Sequence, residues 1–108
     1  MIRIFVLAAS LSCASLARAE NPVLAADLVG RYWAYRDNCA YTGRTDRLAP
    51  EEVATLGRIA GRLGFRNDDN AITDLATDRQ NAYWKLWINT GMDQNCRLTL
   101  VYLRGLAK

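Results

Sequence analysis

The sequence predicts a mainly α fold, a small four-helix, disulfide-bonded domain that follows an N-terminal signal peptide. Three observations lead there. Apolar residues recur at three- and four-residue intervals over most of the chain beyond residue 20, which is the period of a helix with one buried face. Asn21-Pro22 and Pro50-Glu51-Glu52 carry the start signals of helices. Two cysteines, Cys39 and Cys96, remain once an export leader is removed, and they predict a single bridge.

The leader is read from the first twenty residues. A basic tip at Arg3 precedes an apolar stretch from Ile4 to Leu16, and Ala17-Arg18-Ala19 then precedes Glu20. That is the order of a secretory signal, and it places the cut after Ala19. The stretch is too short and too diluted by Ser10, Ser12 and Ser15 to remain as a membrane-spanning helix, which needs about 20 apolar residues. Lipidation at Cys13 is the less favoured alternative, because the preceding Ser10-Leu11-Ser12 has serine where such sites require leucine. Residues 1–19 are therefore read as signal peptide and 20–108 as one exported domain, periplasmic or secreted, with no permanent membrane anchor.

Within that domain the first helix begins at Asn21, a capping residue, with Pro22 at the first helical position. Leu24, Leu28, Tyr32, Tyr35 and Cys39 form one stripe, and Ala26, Val29 and Trp33 lie roughly opposite. Two apolar faces suit either a central helix or one with an exposed aromatic face. The segment from Tyr41 to Ala49 reads as a loop. A second helix opens at Pro50 with Glu51 and Glu52 at the positive end of its dipole, and carries Val53, Leu56, Ile59, Ala60 and Leu63 inward. Gly57, Gly61 and Gly64 line one flank, which predicts a close helix crossing there and a stop at Gly64.

Asn70 is a candidate cap for a third helix with Ile72, Leu75, Ala76, Ala82, Tyr83, Leu86 and Trp87 on one side, broken at Asn89-Thr90-Gly91. Thr90 and Asp93 stand in capping-box spacing before the last segment. That segment is ambiguous. As a helix it aligns Met92, Cys96, Thr99, Leu103 and Leu106; as a strand it alternates Cys96, Leu98, Leu100 and Tyr102 and pairs with residues 84–88, which makes an α+β domain with a C-terminal hairpin. The cysteines favour the helix. In an up-down bundle the end of helix one and the start of helix four meet at one pole, beside each other.

Composition narrows the chemistry. The chain has 14 basic and 11 acidic residues and no histidine. Removing residues 1–19 takes Arg3 and Arg18, so 12 basic residues face 11 acidic ones, without the basic excess that nucleic-acid binding needs. Lacking histidine, the chain has neither the usual general base nor the standard nucleophilic triad. Asp68, Asp69, Asn70 and Asp74 are the densest acidic cluster, but Ile72 stands where a calcium loop needs oxygen and no glycine follows. Asp37, Glu51, Glu52 and Asp78 are not set by spacing into a catalytic pair. No metal, cofactor or catalytic residue is expected.

What remains is an aromatic and arginine surplus: three tryptophans and five tyrosines in a small domain. Such residues are enriched at binding surfaces. Trp33 and Trp84 fall off the main stripe of their helices, which makes them candidate anchors. Arg31 and Arg79 interrupt apolar stripes, where an arginine needs a carboxylate or an anionic ligand. The expectation is a non-enzymatic binding protein of the cell envelope, inhibitor-, immunity- or accessory-like, whose partner is another envelope or secreted protein. The alternative is a small-ligand carrier or sensor with an arginine-lined pocket.

Overall fold

The computed structural model describes residues 21–108, so the expected signal peptide and its expected cut lie outside the described residues. The order is α1 (Pro22–Tyr35), a π-helical turn (Arg36–Ala40) that continues it, α2 (Pro50–Arg62), α3 (Asn70–Thr90) and α4 (Met92–Leu106). The mainly α, four-helix reading holds, and no strand occurs among the described residues.

Local sequence explains most boundaries. The Asn21 side chain accepts from the Leu24 amide at 3.1 Å, with Pro22 next to it. Glu52 reaches back to accept from the Ala49 amide at 2.7 Å, satisfying one of the donors a helix start leaves without a partner. Two caps differ from expectation. Asp69 rather than Asn70 caps α3, accepting from the amides of Ala71 and Ile72. Gly91, at φ 114°, is the sole residue between α3 and α4; Thr90 instead donates its hydroxyl to the Leu86 carbonyl one turn back. Gly64, at φ 109°, ends α2 as predicted.

The last segment is a helix. Cys96, Thr99 and Leu103 are buried at helical spacing, while Leu98 and Tyr102, on the alternative strand face, are exposed. Burial therefore follows the 3.6-residue period and overrides strand propensity.

The helices run up, down, up, down. α1 and α3 are parallel: Ala25 and Ala26 pack on Ile72 and Ala76, and farther along Gln80 Nε2 donates to the Asp37 carboxylate at 2.8 Å. α2 is antiparallel to α1, since the Asn21 amide donates to the Leu63 carbonyl at its far end. α1 is the central helix, buried on both sides. One side joins the Ile72 cluster, and the other joins Trp87, Leu56 and Leu103 in the larger core. At the pole between them Cys39 and Cys96 are bridged, their Cα atoms 5.5 Å apart and both residues fully buried.

The glycine flank of α2 corrects the sequence reading. A Cβ at Gly57 or Gly61 would meet nothing within 4 Å, so neither glycine supports a close crossing. The close crossing is at Gly30, where a Cβ would fall 2.5 Å from the Ala76 carbonyl oxygen and 2.6 Å from the Arg79 Cβ. There α1 and α3 touch backbone to backbone.

Candidate functional site

Two features beyond the core collect functional side chains: a cleft between α1 and α2, and an arginine held between two tyrosines.

The cleft follows from the glycines. α1 presents Val29, Tyr32 and Trp33, α2 presents Val53, Leu56, Ala60 and the two bare positions Gly57 and Gly61, and Phe65 and Asn67 close one end. With no side chain at 57 or 61 the wall of α2 is recessed, leaving an open hollow of about 290 Å³. Trp33 is half-buried at its edge, meeting Phe65 edge to face with ring centres 6.1 Å apart. The rim aromatic is thereby held in place on one side and exposed on the other, as a contact anchor requires.

A second hollow of about 350 Å³ continues the first, with Tyr32 and Val53 forming part of both walls. Its lining changes in character, adding Tyr41, Arg36 and Arg47 to Tyr35, Leu48 and Pro50. The Arg36 and Arg47 guanidinium carbons lie 5.8 and 5.3 Å from the centre of the Tyr41 ring. Arg36 donates to Asp37 at 2.8 Å, and that bond raises its pKa further above the ordinary value. The loop that carries Arg47 is fixed by Tyr35, whose hydroxyl donates to the Asp46 carbonyl, and by Arg104, which donates to the Arg47 carbonyl.

Arg31 and Arg79 turn elsewhere, and both converge on Asp27. Arg31 lies 3.8 Å and Arg79 3.9 Å from its carboxylate. Arg31 is sandwiched between the Tyr83 and Tyr102 rings, at 4.7 and 4.4 Å, and donates to the Tyr83 hydroxyl at 2.6 Å. That hydroxyl donates in turn to Asp27 at 2.7 Å. The network ties α1 to α3 and α4, the pairing a half-buried arginine needs. Arg79 has a half-exposed side chain, and its stem lies over Gly30.

Of the four residues singled out from sequence, then, only Trp33 lines the cleft. Trp84 is exposed on α3, one turn beyond Gln80 on the same face. Arg36 and Arg47 escaped notice, and Tyr32 and Tyr41 counted only within the aromatic surplus, because their proximity depends on how the 41–49 loop folds back, which no periodicity reports. A second exposed surface also escaped notice: Leu98, Val101 and Tyr102 on one face of α4.

Burial raises the pKa of Tyr32, Tyr35 and Tyr83 above the ordinary 10.0, and for Tyr83 its hydrogen bond to Asp27 adds to the effect while Arg31 opposes it. In the unfolded chain these phenols lose their protons first, so the folded state binds more protons as the solution turns alkaline. The stabilisation from the three phenols is complete below about pH 10 and is lost as pH rises through their folded values. Urea midpoints should therefore fall steeply above that pH, and Tyr83→Phe should make the fall shallower. An equal slope in the variant would remove Tyr83 from the account.

No helix among the described residues is long and apolar enough to cross a membrane, and no cluster of three metal-ligating side chains occurs among them. No protein-family model matches the chain, and neither the curated proteins nor the solved structures contain a significant match to it.

Proposed function

We propose that the protein is an exported, non-enzymatic binding protein of the cell envelope, and that it holds a segment of another envelope or secreted protein in the cleft between α1 and α2. The observation that carries this reading is the recessed wall at Gly57 and Gly61 facing Trp33. Each glycine costs helix stability by roughly 1 kcal/mol relative to alanine. Their position opens an apolar hollow beside an anchored aromatic, and nothing in the packing of the domain requires it. Export is supported by the buried Cys39–Cys96 bridge, since disulfides persist in oxidising compartments. In this reading residues 1–19 are the cleaved signal and the mature chain starts at Glu20.

The test is covalent capture in the cell that expresses the protein. A photoreactive aromatic residue placed at Asn67, on the cleft rim, should cross-link one partner protein, while the same group at Gln94 on α4 should not. Gly57→Leu fills the hollow without touching the core and should abolish the Asn67 product while leaving the circular dichroism spectrum unchanged. Capture that is equal at both positions, or that survives Gly57→Leu, overturns the cleft as the binding surface. Intact mass of the exported protein checks the rest: a chain starting at Glu20, about two mass units lighter than its reduced form.

The small-ligand alternative gains one observation. An arginine-lined hollow exists, but its arginines are Arg36 and Arg47 rather than Arg31 and Arg79.

A further inference from the structure

The two halves of the cleft differ in chemistry, and the difference specifies what it binds. The Trp33 end is walled by Val29, Val53, Leu56, Ala60 and Phe65, so it accepts apolar side chains. The Tyr41 end brings two guanidinium groups to one aromatic ring. Arg36 spends its Nε donor on Asp37. Arg47 has no carboxylate within ion-pair distance among the described residues; its charge rests against the Tyr41 ring, which is itself exposed. By contrast Arg44 pairs with Asp93, Arg104 with Glu52, and Arg31 and Arg79 with Asp27. The cationic end of the cleft therefore sets one guanidinium with no carboxylate partner among the described residues, that of Arg47, beside a second, that of Arg36, on an exposed ring.

Stacking on an aromatic ring orients a guanidinium without using its in-plane donors. Those donors form a fork that matches a carboxylate in two parallel hydrogen bonds. Tyr32, shared by both hollows, makes the apolar and cationic ends parts of one continuous surface.

We infer that the cleft reads a short peptide segment of the partner in which apolar side chains seated beside Trp33 neighbour a carboxylate held by Arg36 and Arg47 over Tyr41. This rests on the proposed protein-binding role of the cleft and adds the recognition rule. Charge complementarity selects the acidic class, and the length of the joined hollows demands apolar groups next to the acid.

The test is random-sequence peptide display against the mature, disulfide-bonded protein, followed by fluorescence titration of the selected peptides. Selection on the wild type should enrich peptides carrying a pair of large apolar residues next to Asp, Glu or a free C-terminus. Arg47→Gln should weaken them tenfold or more, and Arg36→Gln with Arg47→Gln should remove the acidic preference while leaving the apolar one. Rising salt should weaken wild-type binding and leave the double variant nearly unaffected. Gly57→Leu should abolish selection altogether.

Thermal unfolding of the two arginine variants should match the wild type, because neither guanidinium packs in the core. Enrichment of apolar peptides with no acidic preference overturns this inference and leaves the cleft as a binding surface. Enrichment that is indifferent to Gly57→Leu overturns both. If small amphipathic carboxylates such as decanoate displace no peptide, the peptide class stands; if decanoate binds the arginine end and no peptide is selected, the inference fails in favour of a small-ligand site.

Discussion

Removing the Cys39–Cys96 bridge should cost the domain roughly 4 kcal/mol, the loss expected in the chain-entropy model for a loop of this length. The bridge spans 57 residues of sequence, from the end of the first helical run to the first turn of α4. Without it the unfolded chain gains the freedom of that whole loop. A domain of this size has a total stability of about 5–10 kcal/mol, so losing about 4 removes roughly half of it and leaves about 1–6 kcal/mol. Both sulfurs are buried, which protects the native bridge from reductant until the pole opens. Comparison should therefore be made after unfolding and refolding with and without reductant, and with the Cys39→Ala, Cys96→Ala double variant. A urea midpoint that is unchanged in the double variant would mean that the bridge does not restrict the unfolded chain as the entropy model requires.

The second large effect comes from adding one methyl group to Gly30. Its Cβ would lie 2.5 Å from the Ala76 carbonyl oxygen and 3.0 Å from the Gln80 amide nitrogen. Both are backbone atoms within α3 and cannot turn aside as a side-chain tip would. The two central helices must separate, which opens the packing of Ala25, Ala26, Ile72 and Ala76 on one side of the crossing. Overpacking of this kind typically costs about 1–3 kcal/mol, and with backbone on both sides Gly30→Ala belongs at the upper end. For a domain of this size that lowers Tm by about 15 °C.

Gly61→Ala is the matched control, because a Cβ there meets nothing. It should raise stability by about 0.5–1 kcal/mol through helix propensity alone. The same substitution is thus expected to act with opposite sign on two helices. Like signs, or two small effects, would show that α1 and α3 do not cross as closely as Gly30 allows.

These two glycine positions mark where sequence reasoning reached its limit. A glycine in a helix signals either close approach or an intentional gap, and the residues around Gly57 and Gly61 fit both. Only the placement of α1 relative to α2 decides that their missing side chains form a hollow. Gly30 lies between Ala26 and Ala34 at four-residue spacing, a small-residue flank that reads equally as an ordinary alanine face, yet a Cβ there would meet backbone of α3. Arg31 was legible as an arginine needing a partner, since it interrupts an apolar stripe. That its partner is Asp27, four residues earlier, with Tyr83 and Tyr102 closing over it, required three helices to be in place.

By itself the sequence determined the helical period, the starts at Asn21 and Pro50, the stop at Gly64 and the pairing of Cys39 with Cys96. Each of these depends on residues close together in the chain or, for the bridge, on there being one possible partner beyond residue 20. The tertiary structure alone decided that residues 96–104 are helix, since their strand-forming side chains satisfy either period until burial of Cys96, Thr99 and Leu103 selects one. It also decided the site. The cleft is a property of the space between α1 and α2 and of a loop that folds Arg47 back toward Arg36 and Tyr41, and such juxtaposition is set by packing, which no local pattern encodes.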